Sequence, residues 1–252
     1  MHCRINILGV NVSDINPNIA KQEIVEWINS ANRQYVCVAP VSTIVDANSM
    51  PDYCAIVNKA GMITPDGMPV VWLLKAKGSL IAARTYGPDL MLTMCQDGVK
   101  SNLKHFFYGG NSTTLQLLEK QLRKEAPGIN IVGMHAPDFK PNAAVVTTDI
   151  KLKINEAKPD ILWVGLGSPK QDFWMSLNRP ILDVPVMVGV GAAFDFIAGI
   201  KPQAPRWMRG IGLEWLFRLC CEPKRLAKRY FIGNSLFIFY LVRRLITNAG
   251  RL

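Results

Sequence analysis

The sequence predicts an α/β fold: a Rossmann-like, mainly parallel sheet with flanking helices, followed by a basic amphipathic C-terminal helical appendage. Three observations predict it. Short β-branched or aromatic runs alternate with stretches of helical period, glycine-rich turns follow several of those runs, and the charge of the chain is gathered at one end. With 252 residues, 49% of them hydrophobic, the chain has enough apolar surface for one large core.

In chain order, residues 35–39 read as the first sheet strand, and Met62-Ile63-Thr64 as a short strand that runs into Pro65-Asp66-Gly67. Residues 105–108, 129–133, 160–165 and 184–190 complete the strand set. Residues 113–126 carry Leu115, Leu118 and Leu122 at helical spacing, and 147–157 reads as a second connecting helix. Strands alternating with helices of this length make βαβ units, whose ligands bind beyond the carboxyl ends of the strands. Four strand-end segments are therefore candidate site elements: Thr64-Pro65-Asp66-Gly67, Tyr108-Gly109-Gly110-Asn111, Gly165-Leu166-Gly167-Ser168-Pro169-Lys170-Gln171, and Gly189-Val190-Gly191 through Asp195.

The pattern breaks at Lys201-Pro202-Gln203-Ala204-Pro205, which divides a Rossmann-like domain, 1–200, from a tail, 201–252. The tail holds 11 Lys/Arg against two acids, Glu214 and Glu222, whereas 1–200 hold 18 basic and 17 acidic side chains, so most of the formal net charge of +10 belongs to the tail. Its charges are interleaved with apolar and aromatic residues, a composition that fits an anionic membrane surface better than nucleic acid. The apolar stretch 231–242 covers 12 residues and is interrupted by Gly233-Asn234-Ser235, too short to span a bilayer. Phe237, Phe239 and Leu241 are expected to face the acyl chains, and Pro223 to kink or divide the tail helix. The N-terminal apolar run is too short for a signal peptide. Six cysteines without a C-x-x-C pair or a histidine at metal spacing argue for reducing cytoplasm and against zinc or a disulfide framework.

Gly165-x-Gly167, with the helix N-terminus near Lys170, makes a phosphate-compatible turn. No third glycine completes a dinucleotide fingerprint, which favours a single nucleotide over NAD and disfavours an oxidoreductase. Asp66 is placed to project from a strand end, although Asp-Gly is also an ordinary turn former. His2, His105 and His135 form no catalytic group with Ser or Cys, and Trp163 and Trp174 read as core. No Asp-x-Asp occurs, so a bound diphosphate has to be met by backbone amides and Arg or Lys without a metal; Arg206, Arg209, Arg218 and Arg225 are the tail's candidates.

Together, Thr64-Pro65-Asp66-Gly67-Met68-Pro69, Tyr86-Gly87-Pro88-Asp89, Tyr108-Gly109-Gly110, the Gly165–Asp172 turn, the Gly189–Asp195 turn and the tail segments Ala204–Met208, Gly212–Leu219 and Glu222-Pro223-Lys224-Arg225 resemble the WecG/TagA/CpsF family of bacterial glycosyltransferases. The resemblance implies transfer of a sugar (N-acetylmannosamine, its uronate or a hexose) from a UDP-sugar to a polyprenyl-diphosphate-linked sugar. It implies peripheral attachment to the cytoplasmic face of the inner membrane and a role in surface polysaccharide or teichoic acid assembly. By that resemblance Asp66 is the general base, Gln171 and Asp195 line the donor pocket with Thr64, Gly109, Gly110, Gly165, Gly167 and Lys170, and Arg218 and Arg225 complete the site. The expected chemistry is a metal-independent, inverting displacement with no cofactor. The chain departs from the family pattern at 38–43, at Asp172 where Glu is usual, and at Lys228 in place of an arginine. A non-enzymatic membrane- or RNA-binding adaptor on the same scaffold is the alternative reading, and the oligomeric state, a homo-oligomer included, is left open.

Overall fold

In the computed structural model, which describes residues 2–138 and 145–249, eight strands and twelve helices are present among the described residues. The strands are β1 Arg4–Ile7, β2 Val10–Ser13, β3 Gln34–Ala39, β4 Met62–Pro65, β5 Lys104–Gly109, β6 Asn130–His135, β7 Ile161–Gly165 and β8 Val186–Gly189. Between them lie α1 Pro17–Asn29, α2 Val41–Ser49, α3 Pro51–Lys59, α4 Met68–Ala76, α5 Gly87–Asp97, α6 Ser112–Glu125, α7 Thr148–Ala157 and α8 Lys170–Asn178. After β8 come α9 Ala193–Ile197, α10 Arg206–Gly210, α11 Glu214–Cys221 and α12 Pro223–Ala249.

The six strands β4-β3-β8-β7-β5-β6 form one sheet in that spatial order, every pair parallel. Parallel strands are covered on both faces, so their residues are apolar in succession rather than alternating with polar ones. Accordingly Tyr35, Cys37, Ala39, Phe106, Tyr108, Leu162 and Val164 enter one core cluster, while their neighbours Val36, Phe107, Ile161 and Trp163 enter the other. Helix starts are fixed locally: the Asn16 side chain accepts from the amides of Asn18 and Ile19 ahead of α1, and Asn111 accepts from Thr114 N at 2.8 Å ahead of α6. Leu115, Leu118 and Leu122 are buried, as their spacing predicts.

The sheet strands fall within a few residues of the sequence expectation. The last one begins at Val186 rather than 184, because Pro185 has no N–H to pair and contributes only its carbonyl, to Gln34 N at 2.8 Å. A separate antiparallel hairpin, β1 with β2, was not anticipated: its four-residue strands are too short for a clear period.

The tail departs further from expectation. Pro223 does divide it, standing as the first residue of α12, where its missing N–H costs nothing. Gly233-Asn234-Ser235, however, does not interrupt the helix. A single interior glycine costs about 1 kcal/mol, and burial of Leu226 and Phe237 outweighs that. Phe237 is 6% exposed in the same core cluster as Tyr35 and Trp174, with Leu236, Tyr240 and Leu241 packed beside it. Phe237 and Leu241 thus turn inward, contrary to the acyl-facing expectation, and only Phe239, at 57% exposure, fits it. No helix among the described residues is long and apolar enough to cross a membrane.

Replacing Phe237 with Ser is therefore expected to destabilise the whole chain by about 3–5 kcal/mol in urea unfolding, whereas Phe239→Ser leaves the unfolding free energy within about 0.5 kcal/mol of the parent's.

Candidate active site

A cleft of about 590 Å³ opens at the carboxyl ends of β3, β4, β7 and β8, roofed by α10, α11 and α12. Its sheet side is built from Pro40 and Ser42, Asp66 and Gly67, Gly167 and Ser168, and Gly191. The roof contributes Arg209, Glu214, Trp215 and Arg218, and farther along Tyr230, Gly233, Phe237 and Leu241. The lining from α10 and α11 therefore carries the charges, and the lining from α12 is mainly apolar.

Asp66 follows β4 directly. Its amide donates to Ala39 O at 3.3 Å, extending the β3–β4 register by one residue, and Gly67 at φ +110° turns the chain into α4. That φ is ready for glycine and strained for any other residue. A loop runs back along the same strand end, pinned by Thr85 N to Pro65 O at 2.9 Å, and brings Arg84 beside Asp66. The Arg84 guanidinium lies 4.2 Å over the Tyr86 ring. Its Nη2 donates to Asp66 Oδ1 at 3.3 Å and, more closely, to Glu214 Oε2 from α11. Nη1 reaches the carbonyl of Arg209 at 3.4 Å.

Burial pushes the Asp66 carboxyl up to about 6; the Arg84 charge and hydrogen bond pull it down, Glu214 adds to the rise, and Arg218 opposes it. Burial also works against the Arg84 charge, but Asp66 and Glu214 together outweigh it and hold the guanidinium above its ordinary value. Asp172 is likewise raised to about 6 by burial, yet it is sealed below the cleft, where Tyr53 donates to it at 2.6 Å. Of these two elevated carboxylates, only Asp66 lines the cleft.

Gln171, 2% exposed, serves the backbone. Its Oε1 accepts from Gly167 N at 3.1 Å and Gly191 N at 2.8 Å, and its Nε2 donates to Ser168 Oγ at 3.2 Å. The side chain thus stitches the turn after β7 to the turn after β8. Gly167, at φ +79° with open space where a Cβ would stand, is the glycine of this turn that faces the cleft.

Other expected residues lie elsewhere. Gly109 and Gly165 pack on one another: a Cβ on Gly109 would stand 2.6 Å from the Gly165 backbone, and one on Gly165 would meet the Phe194 ring. Thr64 is fully buried in β4, and neither it, Gly110 nor Lys170 lines the cleft. Asp195 does not reach the cleft either and pairs with Lys201 at 2.6 Å.

Among the tail arginines, Arg206 and Arg209 separate despite their three-residue spacing. Arg206 is exposed, while Arg209 lines the cleft, grips Asp89 at 3.1 Å and lies 5.4 Å from the Tyr86 ring centre. Arg218 also lines the cleft, its guanidinium 5.4 Å over Phe196. Arg225 belongs to α12, but its side chain lies outside what the structure describes. His105 accepts from Trp163 Nε1 at 3.1 Å inside the core and is driven by burial to about 4, and His2 is bonded to Glu23 and Ser13. No group of three His, Cys, Asp or Glu is gathered to hold a metal ion among the described residues.

Sequence reasoning missed Arg84, Tyr86 as a platform, and Glu214. Arg84 stands outside any glycine turn, so nothing local marks it. Glu214 did leave a signal: it is one of only two acids in a tail of 11 basic residues.

The sequence model of the family described as "Glycosyl transferase WecG/TagA/CpsF family" matches residues 5–251. A relative from Bacillus spizizenii, named "N-acetylglucosaminyldiphosphoundecaprenol N-acetyl-beta-D-mannosaminyltransferase", is 31% identical over 180 residues, covering 71% of this chain and 68% of its own. A relative of the same name from Staphylococcus aureus is 26% identical over 252 residues, covering 98% of this chain and 96% of its own.

The elevated Asp66 carboxyl makes a stability prediction whose sign is fixed. A carboxyl that ionises near 6 in the folded chain and near 3.8 unfolded disfavours the fold progressively between those pH values, and the loss is complete above them. Asp66→Asn removes it, so the variant's melting temperature is expected to match the parent near pH 4 and exceed it above pH 6.5 in a thermal-unfolding pH series.

Proposed function

The chain belongs to the WecG/TagA/CpsF family of glycosyltransferases, and from that premise we propose that it moves N-acetylmannosamine from a UDP-sugar to a polyprenyl-diphosphate-linked N-acetylglucosamine, with inversion. The observation that carries this reading is Asp66: a cleft-lining carboxylate held near neutrality by burial, beside a cation, at the strand ends where a donor binds. The names of the relatives support the sugar and the acceptor.

In the reaction the acceptor hydroxyl oxygen attacks the anomeric carbon while its proton passes to Asp66. The bond from that carbon to the diphosphate oxygen breaks, and the electron pair leaves with UDP. One displacement inverts the centre. A base whose pKa lies near the working pH takes part effectively and typically contributes 10²–10⁴-fold. Arg209 and Arg218 line the cleft, where they can stabilise the departing diphosphate. The turn containing Gly167 and Ser168, held rigid by Gln171, offers a close backbone approach for the donor. The mainly apolar lining from α12, with Phe237 and Leu241, suits the first isoprene units of the acceptor.

Residues 1–200 supply the base and 201–252 the roof and its arginines. The tail's outer surface, with Trp207 and Ile211 on and after α10 and Phe231, Phe239 and Ile246 on α12 exposed among Lys and Arg, suits an anionic cytoplasmic leaflet, on which the enzyme sits peripherally. The product belongs to cell-envelope polysaccharide or teichoic acid assembly.

Incubation with a panel of UDP-sugars and a short-chain lipid-diphosphate N-acetylglucosamine acceptor tests the reading, with UDP-N-acetylmannosamine expected to turn over best. Asp66→Asn is expected to lower turnover by at least about 10² while donor affinity is retained; undiminished turnover would move the base elsewhere.

Activity is also expected to survive EDTA, since Arg side chains rather than a metal meet the diphosphate. A dead, chelated enzyme revived by magnesium or manganese rules that out.

A further inference from the structure

Asp66 and Glu214 compete for one nitrogen. Arg84 Nη2 donates to both, but Glu214 Oε2 holds the closer contact and Asp66 Oδ1 stands back at 3.3 Å. The guanidinium has little freedom to choose otherwise: it is stacked at 4.2 Å on Tyr86, and its Nη1 is held by the Arg209 carbonyl at 3.4 Å. Both carboxylates are largely shielded from water, with side-chain exposures of 16% for Asp66 and 12% for Glu214. In such a place an ion pair is little screened, and a full bidentate grip by arginine would leave a carboxylate a poor proton acceptor.

We propose that Glu214 is a positioning residue which engages Arg84 from the tail, keeps that cation from pairing fully with Asp66, and so leaves Asp66 able to accept the acceptor's proton. The inference rests on the reading of Asp66 as the base. It assigns the tail a task apart from gripping phosphate, because the group that sets the base's reactivity arrives on α11. Among the described residues, the charged and titratable groups facing Asp66 are Arg84 from the loop before α5, Glu214 and Arg218 from α11, and the buried Tyr86, with the Arg209 guanidinium of α10 5.4 Å from the centre of that ring. Glu214 is the only other carboxylate among them. Glu214 raises the Asp66 carboxyl, Arg84 and Arg218 lower it, and burial exceeds each of them.

The test compares the full chain with its Glu214→Gln, Glu214→Asp and Arg84→Met variants by two readouts. One is the carbon-13 carboxyl titration of aspartate-labelled enzyme without substrate, the Asp66 resonance being the one lost in Asp66→Asn. The other is the acid limb of kcat/KM against pH. In Glu214→Gln the Asp66 midpoint and the acid limb are both expected to move to lower pH by roughly one unit, with kcat at high pH reduced. Arg84→Met is expected to move the Asp66 midpoint the other way, and Glu214→Asp, which keeps the charge, to restore most of the parent's position. A Glu214→Gln enzyme that is folded by circular dichroism yet keeps the parent's Asp66 midpoint overturns the proposal. So does a Glu214→Gln enzyme dead at every pH alongside an active Asp66→Asn, which would make Glu214 the base. Should the Asp66 resonance shift while the acid limb stays put, the Glu214 contact is supported and it is the assignment of Asp66 as base that fails.

Discussion

The site depends on keeping a carboxylate ionisable after it has been taken out of water. Moving a carboxylate into a protein interior costs several kcal/mol, and an adjacent cation can repay that. The repayment has a limit, since a carboxylate locked to arginine is stable and unreactive. Asp66 lies between those extremes. Burial raises it, Arg84 restrains the rise, and Glu214 takes the closer share of the same guanidinium. Asp172 shows the alternative outcome, an equally elevated carboxyl closed off by Tyr53 with no access to the cleft.

Such a balance needs its groups fixed to fractions of an ångström, and the parallel sheet does this. Neighbouring strands β3 and β4 end in register, Ala39 opposite Pro65, so the residue after each emerges at one rim. The Asp66 amide continues the ladder, and Thr85 hooks the Arg84 loop onto Pro65. Across the rim, Gln171 spends its carbonyl oxygen on two glycine amides and thereby holds two turns at a set separation. A side chain so engaged positions the pocket wall, and its amide oxygen has no further capacity to read a donor's hydroxyls.

Much of this was legible in advance, for reasons visible in particular elements. Runs such as His105–Tyr108 are aromatic and uncharged throughout because both faces of the sheet are covered, and the helix between them and the next strand shows Leu115, Leu118 and Leu122 on one side. The strand-end rule located Asp66 and Gly167 at the cleft. What the same rule could not do was rank glycines. Gly109 and Gly165 are required by backbone-to-backbone and backbone-to-ring contact, Gly167 faces open space, and all three sit in similar local sequence. Three-residue spacing likewise could not separate Arg206 from Arg209, because α10 is five residues long and its orientation is set by Asp89 and the ring of Tyr86, both distant in the chain. Arg84 and Glu214 escaped for the same reason: their meaning is the contact between them, across 130 residues of sequence.

The tail illustrates how composition can be right about surface and silent about depth. Its basic and aromatic content describes what faces outward, Phe231, Phe239 and Ile246 on α12 and Trp207 on α10. Folding also demands that α12 bury a face, and Phe237 and Leu226 satisfy that demand inside the body of the molecule. Gly233 and Asn234, which read as a break, lie where α12 borders the cleft; there Gly233 leaves space open that a larger side chain would occupy. A helix-breaking composition at that point is therefore explained by the cavity wall and not by an end of the helix. One helix thereby has an outer face of exposed apolar side chains and an inner face that lines the site, so the solvent-facing and site-forming residues of the tail cannot be assigned to separate segments of sequence.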